Sequence, residues 1–392
     1  METIERSRHS RDVGPDRYHA FDNMRGIMLM LLLVLHAAVA YMVTPLGEIW
    51  PFQDSSTHVI FDIVGAFIHT FRLPLFFVMA GFFSAKLYYE RGTREFVKNR
   101  LQRIAIPLVV FWVVLAPFIL APFALLHLDA DSRTIRGLMS WLTSADAISR
   151  LHFFHLWFLF DLLVYYGAIL LLIRLWKLMH FSLASSIRRK FGLLFRSSWG
   201  FLMFVVATAV SLLPMELGML ESPATFARPP STLLADAVFV LFGWGLYIHR
   251  DLMGRLARRA WVDTSLGVVC FVAHLAFVSS LIEGNRALHI PSIIFASLSI
   301  WLFVYGITGL FIRYGSRPSR IGRYIADSSY WCYLVHLPLV AWLSVLLADW
   351  QMPAISKYAI VLSTTVLVCL LTYDRLVRST PIGVLINGRR RP

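Results

Sequence analysis

Apolar and polar positions alternate along this chain in long blocks. Ten apolar runs, at 25–44, 57–83, 104–126, 153–174, 199–216, 233–249, 261–282, 291–313, 327–347 and 355–376, are separated by short polar stretches. A helix of about 20 such residues spans the hydrocarbon layer of a bilayer. The pattern therefore predicts an all-α, polytopic transmembrane helix bundle. Residues 1–24 form a polar, Arg-rich N-terminal tail, 25–377 the membrane domain and 378–392 a basic C-terminal tail. The second run is long for one span and carries Arg72 and Pro74, so it is expected to be broken, tilted or partly re-entrant. Ala38-Val39-Ala40 resembles a signal-peptide cleavage site, but the run and its leader are both too long for one, and a retained first helix is expected.

Charge orients this bundle. Of 392 residues 58% are hydrophobic, which leaves no sizeable soluble domain, and the formal net charge of +14 sits in short loops rather than on a nucleic-acid-binding face. Basic residues crowd alternate loops: Lys86 to Arg103, Arg188 to Lys190, Arg250 to Arg259, Arg313 to Arg323, and Arg389 to Arg391 at the end. The intervening loops carry Glu48, Asp54, Asp129, Asp131, Glu216, Glu221 and Asp349. The positive-inside rule then places both termini in the cytoplasm. Cys270, Cys332 and Cys369 lie in apolar runs without a C-x-x-C pair, so no disulfide framework or zinc site is indicated. No P-loop, G-x-G-x-x-G, H-E-x-x-H or G-x-S-x-G is present, which leaves ATP-driven transport, dehydrogenation, zinc proteolysis and serine hydrolysis unsupported.

Ionisable groups inside the runs are the candidate chemistry, because they generally line a site or pathway. Arg25 and His36 are eleven residues apart, so they share one helix face at a separation of about 16 Å. His69, with Arg72 a turn further in, and His336 fall at a depth similar to His36 on two other helices. A shared polar chamber is expected, although each histidine alone also reads as a structural hydrogen-bonder. His155 and Trp157 stand at the outer edge of the fourth run, either at the mouth of that chamber or in an interfacial aromatic belt with a wet histidine. Asp161 needs a partner and is a candidate for orienting a histidine; Asp236, nearer the interface, reads as solvated. Tyr330 and Tyr333 lie close to the face of His336, to donate to an oxyanion or to pack. Arg100 and Arg103 suit an anionic nucleotide or, equally, lipid headgroups.

The pairing of Arg25 with His36 matches the arginine–histidine signature of the acyltransferase 3 family of ten- to eleven-span membrane enzymes. Four further blocks resemble that family in order: His69 to Arg72 running into Phe76 to Ser84, Arg100-Leu-Gln-Arg103 to Pro107, His155-Leu-Trp157, and Ser329 to Pro338. Residues 175–320 carry no matching block. The resemblance implies an acyl-CoA donor on the cytoplasmic side, giving a succinyl or acetyl group, and an extracytoplasmic glycan acceptor such as a periplasmic glucan. It implies His36 as the essential group, with no metal and no permanently bound cofactor. On that footing Arg25, Arg100 and Arg103 would hold the CoA phosphates, and His36 would act as base or transient acyl carrier. Arg72, Tyr333 and His336 would hold an oxyanion or the acceptor, and proteins of glucan synthesis are possible partners. Two other readings stay open: a proton-coupled secondary transporter of a small anion using the same His/Arg set, and a non-catalytic scaffold.

Overall fold

The structure, a computed structural model, describes residues 18–178, 189–190, 192–193, 195–221 and 225–387. Residues 1–17 of the expected N-terminal tail, Arg188 and the closing arginines Arg389 to Arg391 lie outside them. Among the described residues there is no strand, and every one of the ten apolar runs falls on a helix. The helices are α1 (His19–Ala38), α2 (Val59–Arg100), α3 (Ile106–His127), α4 (Ile135–Leu142), α5 (Ala145–Ser149), α6 (Trp157–Leu178), α7 (Ser198–Leu212) and α8 (Pro230–Ile248). They continue with α9 (Leu252–Ile282), α10 (His289–Tyr314), α11 (Arg320–Leu346), α12 (Ala354–Thr372) and α13 (Pro381–Asn387). Among the described residues eight stretches are long and apolar enough to cross a membrane; one of them, Val59–His127, holds both the second and third runs, and Trp199–Leu212 is shorter. The chain is an all-α, multi-pass membrane bundle.

Two sequence-level boundaries move. Helix α1 starts at His19, ahead of the apolar run. The long second helix passes through Arg72 and Pro74 unbroken and breaks instead at Gly92, whose φ of 77° and ψ of 178° lie in a region only glycine enters without strain. A single π turn, Leu101–Ala105, then joins α2 to α3. The break and the π turn let the basic stretch Lys98 to Arg103 fold back against the bundle instead of continuing a straight helix.

Three packings set the architecture: α9 lies along α10, α2 against α8, and α1 against α11. The α2–α8 crossing is close because glycine faces backbone from both sides. A Cβ on Gly81 would strike the carbonyl oxygen of Val240, and one on Gly243 would strike that of Val78. Small residues that let backbones approach are the main adhesive between helices where the solvent is itself apolar. Helices α1 and α11 begin at the same end of the bundle, here termed the basic end, and run parallel. Gly26 backs directly onto Ala326. Ten residues further along each helix stand His36 and His336, so equal rises of about 15 Å bring both imidazoles to one level.

At the opposite end, Asp54 is fully enclosed. Its carboxylate accepts hydrogen bonds from Lys357 Nζ at 2.8 and 2.9 Å, and Lys357 also donates to Ala348 O at 3.1 Å. The segment after α1 is thereby tied to the start of α12. The expected C-terminal tail is partly structured too: Ile386 of α13 is buried against the bundle. Gly243→Ala is expected to destabilise the α2–α8 crossing by about 1–3 kcal/mol, as overpacking does, read as a lower melting temperature in detergent micelles.

Candidate active site

The register of α1 and α11 brings His36 Nδ1 to 2.8 Å from His336 Nε2, with the rings nearly parallel at 19°. His336 is fully buried, and its Nδ1 lies 2.7 Å from the carbonyl of Tyr333 and 3.0 Å from that of Cys332. A carbonyl only accepts, so His336 carries its proton on Nδ1 and presents a lone pair at Nε2. His36 must then donate through Nδ1–H, which leaves His36 Nε2 as a free lone pair. A chain of two hydrogen bonds thus fixes the tautomer and ring plane of a histidine whose outer nitrogen is basic. His36 itself is only partly buried, so that nitrogen is approachable.

His155 joins this pair, against the reading of a wet interfacial residue. It is buried, its ring stands 5.1 Å from that of His336 at 80°, and its Nε2–H donates to Leu334 O at 3.0 Å. It is presented by a short 3₁₀ turn, Phe154–Leu156, in which Phe154 adopts φ 48°. That left-handed conformation is uncommon for an aromatic residue and persists only where the surroundings over-determine it. The surroundings do so here: Tyr333 OH donates back to His155 O at 2.9 Å, so turn and α11 clamp each other in both directions. His69 and Arg72 lie close enough to interact electrostatically with His36. His69 Nε2–H donates to Leu220 O at 2.8 Å, while His289 and Ser292 hold Met215 O and Leu217 O, so the segment after α7 is pinned at three carbonyls.

The two tyrosines do not serve as oxyanion donors in this geometry. The Tyr333 proton goes to His155 O, and the Tyr330 hydroxyl donates to Arg103 O at 2.8 Å, bracing the π turn. Their rings stack at 8° and carry that bracing toward the histidines. Asp161 does not orient a histidine either. It forms a buried ion pair with Arg228 at 2.8 Å, and the guanidinium lies over the Trp157 ring at 4.4 Å. Asp236, read from sequence as solvated, is buried within electrostatic reach of Asp161 and Arg228. Arg228 was missed because it precedes two prolines in a loop of the sparsely basic side and reads there as an ordinary surface residue.

A cavity of about 500 Å³ opens at the basic end and runs inward between α1, α2, α6 and α11. Its mouth is lined by Arg25, Lys86, Arg91, Arg100 and Arg103, and its inner wall by Tyr333, whose ring lies 6.4 Å from that of His336. Arg25, Arg100 and Arg103 therefore all line this cavity. Arg100 is held in place by Ser84 Oγ at 3.1 Å and by the Tyr166 ring, 4.5 Å from its guanidinium carbon. Arg25 pairs with Asp22 at 3.4 Å and reaches Ala326 O at 3.5 Å. Arg103 feels Arg100, Arg25 and Arg91 as like charges. Concentrated positive charge with fork-shaped donors around one opening is what a polyphosphate ligand requires. Among the described residues no group of His, Cys, Asp and Glu side chains is arranged to hold a metal ion.

A family model described as an acyltransferase domain, acyltransferase 3, matches residues 18–374. Curated relatives include glucans biosynthesis protein C of Escherichia coli O1:K1, 24% identical over 345 residues that cover 83% of each chain, and its counterpart in strain K12, 23% identical over the same share. No solved structure matches the chain. Removing the cation from the buried ion pair, as in Arg228→Met, strands Asp161 and is expected to cost about 3–5 kcal/mol of stability, measured by thermal unfolding of the purified protein.

Proposed function

The chain belongs to the acyltransferase 3 family, and from that premise we propose that it moves an acyl group from cytoplasmic acyl-CoA to a hydroxyl of a glycan on the far side of the bacterial inner membrane. The enzyme reading displaces both the transporter and the scaffold. The relatives' name speaks of glucan biosynthesis, which supports a glucan as acceptor. In this reading the basic end faces the cytoplasm, as the positive-inside rule requires.

One observation carries the mechanism: a histidine with a fixed donor on one side and a free lone pair on the other is paired with His336, whose ring lies 6.4 Å from that of Tyr333 on the inner wall of a basic cavity. Arg25, Arg100 and Arg103 hold the CoA phosphates at the mouth, and the pantetheine arm passes Leu29 and Tyr333 to bring the thioester to His36. The acceptor hydroxyl approaches from the opposite end. His36 Nε2 takes the hydroxyl proton as its oxygen bonds to the thioester carbonyl carbon. The tetrahedral oxyanion then collapses, the C–S bond breaks, and the departing thiolate recovers the proton from His36. The imidazolium formed between these steps donates more strongly to His336 Nε2, so positive charge is spread over the pair rather than held on one buried ring. His336, His155 and the clamp of Tyr333 position His36 and exclude water, which keeps the thioester from hydrolysis.

The primary test is glycan mass spectrometry on cells lacking the gene and complemented with wild type or with His36→Ala at equal expression. Wild type is expected to restore an acyl mass increment on a periplasmic glycan, and His36→Ala to lower the transfer rate by about 10²–10⁴-fold, the usual weight of a general base. Restoration by His36→Ala would remove the base assignment, and no increment from wild type would remove the acceptor. In kinetics with purified protein, Arg103→Gln is expected to raise KM for acyl-CoA by about tenfold or more, with a smaller change in kcat, as loss of a charge-assisted phosphate contact does.

A further inference from the structure

A second cavity, of about 260 Å³, shares no lining residue with the basic cavity, and the mechanism does not use it. It lies among α7, α8, α9 and α10. Part of its lining is aromatic: Phe195 stacks on Phe242 and Phe242 on Tyr305, each pair inclined by 26°, and Phe201 stands edge-on to Tyr305 at 87°. The rest carries charge, from Arg255 and Arg259 one turn apart on α9 and Asp263 a further turn along. Arg259 Nε–H donates to Asp263 at 3.3 Å, and Arg255 donates to the carbonyl of Arg196. Each contact aims a guanidinium while using only one of its N–H groups, so the others are left for a ligand. One carboxylate against two guanidiniums leaves the cavity with net positive charge.

Position narrows the identity of that ligand. Arg250 donates to Tyr18 OH at 2.7 Å, so α9 starts at the basic end, as α1 does. Trp199 at the head of α7 is 71% exposed, and Trp261 in the third turn of α9 is 56% exposed. Exposed tryptophans near helix ends mark the headgroup level of a bilayer. Arg259 and Arg255 precede Trp261 by about 3 and 9 Å of helical rise, on the side where lipid phosphates lie. Past the tryptophans both helices expose apolar side chains, Leu202 and Val206 on α7 and Val262 and Leu266 on α9, as lipid-facing helices do. Helices α7 and α9 each pack on α10 and meet chiefly through it, which leaves a cleft between them with the cavity at its basic end. We propose that this cavity is a binding site for one anionic phospholipid, its phosphate held by Arg255 and Arg259 and one acyl chain laid through the cleft onto the aromatic lining. Its volume lies below the roughly 300–1,000 Å³ of sites that enclose a whole ligand, as fits a molecule whose remainder stays in the bilayer. A soluble phosphate would leave the aromatic lining uncovered, and a zwitterionic lipid would bring its own cation toward two guanidiniums. An anionic lipid satisfies both halves, and once bound it bridges α7 to α9.

The test titrates the full chain, purified in detergent, with phosphatidylglycerol or phosphatidylcholine of equal chain length and counts bound lipid by native mass spectrometry. Wild type is expected to take up one phosphatidylglycerol about tenfold or more tightly than phosphatidylcholine, the weight of two arginines beside a phosphate. Arg255→Gln leaves the Arg259–Asp263 pair intact and should lower that preference about fivefold. Arg258→Gln removes an equal charge from the same helix outside the cavity and should leave the preference as it was. Leu302→Phe keeps every charge, fills part of the cavity and should weaken uptake of both lipids, so the site is probed a second way should the arginine variant misfold. Equal binding of the two lipids by wild type overturns the site. So does an equal loss in Arg255→Gln and Arg258→Gln, which is the result of a diffuse attraction to the basic loops. Displacement of bound phosphatidylglycerol by glycerol phosphate would identify a soluble phosphate ligand instead, and that too overturns the proposal.

Discussion

Inside a bilayer no water stands by to satisfy a ring nitrogen, so an imidazole placed there needs a fixed partner. The 2.8 Å bond between His36 and His336 answers that need for one nitrogen of each ring, and the carbonyls of Cys332 and Tyr333 answer it for the remaining nitrogen of His336. Only the outer nitrogen of His36 is left over. The rest of the central architecture follows from keeping this arrangement in place. Helices α1 and α11 run parallel and in register, the strained turn at Phe154 holds His155 against the pair, and two tyrosine hydroxyls give their protons to backbone rather than to chemistry. Rigidity here is obtained by using up donors.

The bundle also sorts its charges by depth. At the basic end, cations outnumber acids around an open cavity and repel one another, a state tolerable only next to water and useful only for an anionic ligand. Toward the opposite end, Arg228 and Lys357 are neutralised by Asp161 and Asp54. Desolvation makes such pairs weak contributors to net stability, but it makes either partner alone intolerable, so they act as pegs that fix which loop meets which helix.

Much of this was legible in the chain. The apolar runs located the helices, because in lipid a spanning segment has few options besides a helix. The histidines at matching depth on different runs gave the site, since register is inherited from helical rise. What could not be read was anything decided by side-chain partnership between distant segments. Tyr330 and Tyr333 read either as donors to an oxyanion or as packing, Asp161 as a carboxylate in need of a partner and Asp236 as solvated, because hydropathy ranks a residue without saying who stands opposite. Arg228 in its loop carried no signal. The second run, long and carrying Arg72 and Pro74, reads as broken, tilted or re-entrant without pointing to Gly92, since a proline within a helix can be absorbed, whereas a left-handed glycine redirects the chain.

The partners at the heart of the molecule are separated by 300 residues for His36 and His336 and by 303 for Asp54 and Lys357. During synthesis the chain emerges from its N-terminus, so α1 enters the membrane with its histidine and the following acid both unmatched. Each waits until translation has reached the last quarter of the sequence. A nascent chain is accordingly inert through most of its assembly, and a truncated one ending before α11 holds an imidazole with no tautomer imposed on it. Completion of the protein and assembly of its histidine pair are thus one event in time.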